Sequence, residues 1–209
     1  MTAPGDPAIR ALPMGRLAAL VEVAGDPAAF AAGVRQRCID RDLAVLDVVP
    51  AARTVLITCP SSDALAVVVD DLGAVVPVVE RREGSVVEIP VRYDGEDLDD
   101  VARRAGLPVD EVVALHHGAS YRAAFCGFAP GFAYLDGLPE PLHLARRATP
   151  RTSVPAGSVA IAAGQSAVYP RSSPGGWHLI GSTDLAMFDP DRRPPALVMP
   201  GTNVRFVPT

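Results

Sequence analysis

Apolar and polar positions follow two different rhythms along the chain. Arg16 to Val23 (RLAALVEV) is apolar with single polar interruptions, the pattern of a half-buried strand. Asp26-Pro27 offers a helix N-cap followed by a first-turn proline, which predicts a helix from there to Asp40. Leu43 to Val49 and Thr54 to Thr58 are two short predicted strands, with Pro50-Ala51-Ala52-Arg53 as their hairpin connection. Ser61 or Ser62 caps a second helix running to Leu72, although Val67-Val68-Val69 also suits a strand. Val86 to Tyr93 is again strand-like. The order β-α-β-β-α-β matches a ferredoxin-like split βαβ unit. Glu80 to Gly84 (ERREG) has the composition of a loop or linker.

Beyond Tyr93 the texture changes. Two short helices are predicted, Asp97 to Ala105 and, after Pro108, Val109 to His116. From Ser120 onward come short apolar strands, Tyr121 to Cys126, Val159 to Ala163, Trp177 to Ile180 and Val204 to Val207, separated by Pro/Gly turns. Many short strands with such punctuation favour a closed β-barrel or a sandwich. The predicted class is therefore α+β, with an N-terminal α/β domain over 1–85 and a β-rich domain over 86–209.

With 209 residues the chain can bury a sizeable core without staples. Its three cysteines, Cys38, Cys59 and Cys126, are odd in number and form no C-x-x-C pair, so neither a disulfide framework nor a thiolate metal site is suggested, and a reducing, cytoplasmic setting fits. Met1 to Pro7 lacks a basic patch ahead of an apolar run, and stretches such as Ala64 to Val69 fall far short of the ~18 residues of a membrane span. The net charge of −5 argues against nucleic acid as a partner. Every one of the 19 basic residues is arginine. Without lysine there is no P-loop, no Schiff-base chemistry and no site for attached biotin or lipoate.

Three Pro/Gly segments concentrate the candidate chemistry: Gly127 to Leu135 (GFAPGFAYL), Pro150 to Ser158 (PRTSVPAGS) and Ser172 to Ser182 (SSPGGWHLIGS). Pro130-Gly131 and Pro174-Gly175 each suit the centre of a type II turn. Phe128, Phe132, Tyr134 and Trp177 sit beside these turns, where aromatics can line a shallow pocket for a small polar ligand. The plainer alternative is turn formers beside core aromatics. Arg122, Arg151, Arg171 and Arg146-Arg147 lie near the same segments and can clamp a carboxylate or phosphate, whereas Arg146, Arg147, Arg192 and Arg193 also suit solvated surface charge. His116-His117 closes a predicted helix without further metal ligands at suitable spacing, and no metal site is expected. His178 is compatible with a solvent-facing position. G-x-S-x-G is absent, and Cys126 reads as a small buried hydrophobe.

Taken together, Glu88 to Tyr93 (EIPVRY), Leu115-His116, Gly127 to Leu135, Thr149 to Ser158, Gly164-Gln165, Tyr169-Pro170 and Ser173 to Thr183 resemble the family of the 5-oxoprolinase B subunit, also described as allophanate hydrolase subunit 1 and including the sporulation histidine-kinase inhibitor. The ordered series runs from Val86 to Pro208 and is far more specific than any single turn motif. The resemblance implies a small N-terminal α/β domain followed by a cyclophilin-like β-barrel. It also implies a partner C subunit, a LamB/YcsF-like subunit, and ATP used by the assembled complex to open the lactam of 5-oxoproline to glutamate. Motif positions carry over as His116, Phe128, Pro130, Gly131, Arg151, Pro155, Gly157, Gln165, Tyr169, Gly175, Gly176, Trp177 and Thr183. On physical grounds Arg151 is the candidate anion clamp and His116 the candidate proton-transfer or hydrogen-bonding group. Gln165 and Tyr169 are candidates for orienting an amide or phosphorylated intermediate. Cys126 stands where an aliphatic residue is usual, and Ala133 where proline is frequent, which predicts a looser loop there.

Three functions are therefore expected in competition. The first is a hydrolase subunit inactive alone, acting on a small amide within a complex. The second is a regulatory inhibitor docking on a sensor histidine kinase. The third is a carboxyltransferase-type subunit of a urea carboxylase or allophanate system.

Overall fold

The computed structural model describes residues 9–78 and 86–209. The expected linker at Glu80 to Gly84 lies outside the described residues, as does the Met1 to Pro7 segment. The chain divides into two compact units, residues 1–81 and residues 82–209.

In the first unit, β1 (Arg10–Pro13), β2 (Ala18–Glu22), β3 (Asp47–Pro50) and β4 (Thr54–Thr58) form an antiparallel sheet in the order β1-β2-β4-β3. Strict alternation sends Val21, Val48, Val55 and Ile57 into the core beneath two helices, α1 (Pro27–Asp40) and α2 (Ser62–Asp71). The Asp26 side chain accepts hydrogen bonds from the Ala28 and Ala29 amides at 2.8 and 3.3 Å, which starts α1 where the sequence indicates. Ser61 caps α2 through the Ala64 amide at 3.1 Å. The valine triplet is helical because that cap and the Val68–Leu72 spacing put both side chains on the sheet, while Val67 is exposed.

Two strand expectations change. The strand expected from Leu43 begins only at Asp47, because the Leu43 amide is spent on the Cys38 carbonyl, closing α1 at 2.8 Å. Val86 to Tyr93 does not complete the first sheet. Its strand, β5 (Val87–Val91), pairs in parallel with β13 (Asn203–Pro208) in the second unit, placing Ile89 opposite Phe206 and Val87 opposite Val204. The edge beside β2 is filled instead by β1, a strand too short and too broken by Pro13 to be recognised from its pattern.

The second unit contains α3 (Leu98–Ala105) and α4 (Val109–Gly118), then β6 (Tyr121–Cys126), β7 (Ala133–Asp136), β8 (Arg151–Val154), β9 (Ser158–Ala162), β10 (Gln165–Val168), β11 (Ser173–Gly175) and β12 (His178–Ser182). Seven strands make one sheet in the order β12-β9-β10-β7-β6-β13-β5. Just past β5, Arg92 and Ser182 exchange backbone hydrogen bonds of 2.9 and 2.8 Å, bringing the last strand back to the first so that the sheet nearly closes into a barrel. The fold class is thus mixed α+β, with four α-helices among the described residues.

All of β9 is buried, because its two sides serve two cores. Val159 and Ile161 join Ile89, Val91, Tyr121, Leu135, Ile180 and Phe206 inside the barrel. Ala160 and Ala162, with Ala167 of β10, form the floor of a smaller cluster containing Phe132, Tyr169, Trp177 and Leu179. Alanine on that side leaves room for aromatic rings to lie against the strands.

Gly137 has φ of +112°, and a Cβ added there would stand 2.3 Å from the Ser120 carbonyl oxygen. Gly137→Ala therefore forces both backbone strain and a clash. It is expected to destabilise the second unit by about 3 kcal/mol, read as an earlier urea transition in Trp177 fluorescence.

Candidate functional site

The Gly127 to Leu135 segment supplies the rim of the smaller core. Pro130-Gly131 is the expected type II turn: the Phe132 amide donates to the Ala129 carbonyl at 3.0 Å and Gly131 has φ of +82°. A Cβ on Gly131 would meet the Phe188 Cβ at 2.7 Å, so the turn also needs glycine for packing. Phe128 adopts φ of +66°, uncommon for a bulky residue, and is 58% exposed. Ala133 is not in a loosened loop; it is a buried residue of β7 paired with Cys126.

Pro174-Gly175 departs from expectation. It lies in β11, an extended strand pairing with β8, with Gly175 opposite Arg151. Glycine is needed there because a Cβ would stand 2.3 Å from the Tyr169 hydroxyl. Gly157, beyond the exposed Pro155 corner, has φ of +79°. Its amide donates to the Tyr169 carbonyl at 2.8 Å and its carbonyl accepts from the Thr183 amide at 2.9 Å. Thr183 Oγ1 in turn accepts from the Leu185 amide at 3.2 Å.

These turns hold one continuous aromatic assembly. Phe132 packs edge to face against Phe128 at 5.2 Å, Tyr134 at 5.0 Å, Tyr169 at 5.3 Å and Trp177 at 5.8 Å between ring centroids. Tyr134 also meets Trp177 at 5.7 Å, and Phe128 meets Tyr169 at 6.2 Å. Burial pushes the Tyr169 hydroxyl above its ordinary range, opposed by the Trp177 amide and by the charges of Arg146 and Arg151. The tyrosine therefore stays neutral and can both donate and accept.

The expected anion clamp, Arg151, is already engaged. Its two terminal nitrogens donate to the two carboxylate oxygens of Asp97, each at 2.8 Å, and one also reaches Glu96 at 3.2 Å. Arg147, expected as solvated charge, joins the same carboxylate at 2.5 Å, and the Leu179 amide adds a fourth donor at 2.8 Å. Burial alone would raise the Asp97 carboxyl, but the hydrogen bonds of Arg151 and Leu179 and the charges of both arginines outweigh it and hold it below the usual carboxylate range. Asp97 is the residue that sequence reasoning missed. It stood out only as the start of a predicted helix, and its partners lie 50 to 82 positions away. Arg192, another expected surface charge, is tied to the carbonyls of Met187 and Pro195. His178 does not face solvent; it is buried and bonds the Ala145 carbonyl through Nε2 at 2.9 Å.

His116 and Gln165 lie apart from the aromatic assembly. His116 is fully buried, its ring tilted against Tyr121 and Phe206. Its Nε2 lies 2.9 Å from Ser166 Oγ, and its Nδ1 lies 2.8 Å from the Tyr93 hydroxyl. Ser166 spends its own proton on the Ala160 carbonyl, so His116 Nε2–H must be the donor to Ser166, and Tyr93 the donor to Nδ1. Burial, and secondarily the neighbouring His117, pushes the His116 pKa down to about 3, so the ring is neutral. Gln165 begins β10 and donates to Asp136 at 2.8 Å. Burial pushes the half-buried Cys126 thiol up to about 11, which keeps it protonated. Among the described residues no three His, Cys, Asp or Glu side chains converge as a metal site, and no helix is long and apolar enough to cross a membrane.

A family profile for the carboxyltransferase domain, subdomain C and D, matches residues 9–198. The 5-oxoprolinase B subunit of Escherichia coli O157:H7 is 54% identical over 129 residues, covering 60% of this chain and 59% of that protein. The subunit of the same name from Haemophilus influenzae is 48% identical over 132 residues, covering 62% of each chain. The chain thus spans about three fifths of the length of these curated relatives. Among solved structures, the protein TTHA0988 superposes with a TM-score of 0.77 at 36% identity, over 92% of this chain and 39% of that one. The K. lactis urea amidolyase shares the fold, with a TM-score of 0.76 at 17% identity, over 96% of this chain and 15% of that one.

Because His116 is neutral when folded yet takes a proton below pH 6.5 when unfolded, stability falls as pH drops from 6.5 towards about 3, by roughly 1.4 kcal/mol per unit. His116→Gln lacks this component, so the gap between the two denaturation midpoints narrows with acidification. Asp97→Asn strands two arginine charges and is expected to cost about 3 kcal/mol in urea unfolding at pH 7.

Proposed function

We propose that this chain, which belongs to the carboxyltransferase-domain family of subdomains C and D, works as the B-type subunit of a 5-oxoprolinase. In this reading the assembled enzyme uses ATP to open the lactam of 5-oxoproline to glutamate in the cytoplasm. A C-type subunit and a LamB/YcsF-like subunit would complete it. The observation that carries the reading is the aromatic assembly of Phe128, Tyr134, Tyr169 and Trp177 flanked by arginines, all inside the matched residues. The 48–54% identity to proteins named as that subunit supports it. A small flat amide fits the accessible edge of this assembly: Phe128 and the half-buried Tyr134 give apolar contact and a hydroxyl, and arginine answers a carboxylate, while the buried Tyr169 supports the rings from behind.

His116 and Gln165 then act behind the face. His116 fixes Ser166 and Gln165 fixes the β7–β10 edge through Asp136. Arg151 and Arg147, locked on Asp97, shape the wall. Without lysine the chain offers no P-loop, so ATP handling falls to the assembled complex. For the finer fold, the near-closed seven-stranded sheet is taken as the cyclophilin-like barrel. The first unit is taken as a ferredoxin-like arrangement with β1 in the place of the final strand. Likeness to the urea amidolyase concerns the fold and does not favour carboxyl transfer.

Co-expression with a C-type and a LamB/YcsF-like chain is expected to give ATP-dependent release of glutamate from 5-oxoproline, with none from this chain alone. A correctly assembled complex that releases no glutamate overturns the assignment, and turnover by the single chain removes the need for partners.

A further inference from the structure

Arg146 looks at first like an ordinary surface arginine, yet its backbone is held on both sides. The Ala145 carbonyl bonds the buried His178 Nε2 at 2.9 Å, and the Arg147 amide donates to the Gly176 carbonyl at 2.8 Å. Residues 145–147 are thereby pinned alongside residues 176–178, which sets Arg146 opposite Trp177. Its guanidinium lies 6.0 Å from the centre of the indole ring, within cation–π range. Its charge is also felt by the hydroxyls of Tyr134 and Tyr169. Arg147 and Arg151 give their nitrogens to Asp97, whereas no carboxylate pairs with Arg146 among the described residues. An arginine stacked on an aromatic face and left without an acid is preorganised to bind a planar anion through its free edge.

We propose that Arg146, seated on Trp177, is the carboxylate-recognition residue of the aromatic face, taking the carboxylate of a small cyclic amide acid while the half-buried Tyr134 meets its polar ring atoms. The proposal rests on the reading of that face as the 5-oxoproline site and names the group that selects the acid. Arg151, engaged by Asp97, then positions the wall without contacting the ligand.

Trp177 is the sole tryptophan of the chain, so its emission reports directly on this position. The full chain is titrated with 5-oxoproline, with 2-pyrrolidinone, which has the same lactam without the carboxylate, and with inorganic phosphate. A saturable emission change with 5-oxoproline and none with 2-pyrrolidinone is expected. Arg146→Gln should weaken 5-oxoproline binding at least tenfold, with Arg146→Lys recovering only part of it. Equal responses to both lactams, tighter binding of phosphate than of 5-oxoproline, an unchanged Kd in Arg146→Gln, or no response at all would overturn the proposal. Glutamate release by the co-expressed complex is scored separately. An active complex whose KM ignores Arg146→Gln defeats the role of Arg146 alone. Carboxylate binding through Arg146 in a complex that makes no glutamate defeats the assigned reaction alone.

Discussion

The Asp97 carboxylate is the point at which separated stretches of the second unit are fastened together. Its oxygens take donors from Arg147, from both terminal nitrogens of Arg151 and from the Leu179 amide, while its own amide donates to the Leu179 carbonyl at 2.9 Å. The start of α3 is thereby locked on β12, and the two arginines are drawn in behind the aromatic face. Buried ion pairs add little net stability once desolvation is counted, but their hydrogen bonds fix geometry that apolar contacts leave free. Here the geometry concerned is the spacing between β8, β12 and the 145–147 segment, on which the placement of Arg146 over Trp177 depends.

The aromatic face relies on a second constraint, the thinness of the sheet beneath it. Ala160, Ala162 and Ala167 present methyl groups where larger side chains would lift the rings away. Gly175 lets the Tyr169 hydroxyl approach a neighbouring strand more closely than any Cβ permits. Small residues below and glycine beside thus allow Phe132, Tyr169 and Trp177 to pack edge to face while Phe128 remains accessible.

Much of this was legible in the chain itself, and the exceptions share a cause. Helices with local punctuation, such as Asp26-Pro27 before α1 and Ser61 before α2, declare themselves because the cap lies within three residues of its partner. Type II geometry at Pro130-Gly131 is equally local. Pro174-Gly175 carries the same dipeptide but is drawn into β11 by pairing with β8, a contact decided far away in sequence. The same holds for Val87–Val91, whose apolar alternation marks a strand without saying which sheet will take it. Ring-bearing residues of the face could be named from the motif series, but the division of labour among the arginines could not. Arg147 and Arg151 are claimed by Asp97, whereas Arg146 lies over Trp177, a division set by contacts that no local pattern records.

Barrel closure carries the shortest backbone pairing in the ring. Among the described residues the backbone ladder between the two terminal strands is reduced to the reciprocal Arg92–Ser182 pair, with Arg92–Asp184 and Ser182–Asp94 side-chain bonds beside it, whereas the flanking β12–β9 and β13–β5 pairs are each registered along most of their length. A cylinder sewn along one side by two stitches has a preferred line of parting. Beside that line Gly181 sits so near the Arg92 carbonyl that a Cβ would come within 2.5 Å, so the seam tolerates no added bulk. Slow amide–solvent exchange should therefore fail first at Arg92 and Ser182, and opening there would loosen the hold of β12 on Trp177 without unravelling the remaining strands.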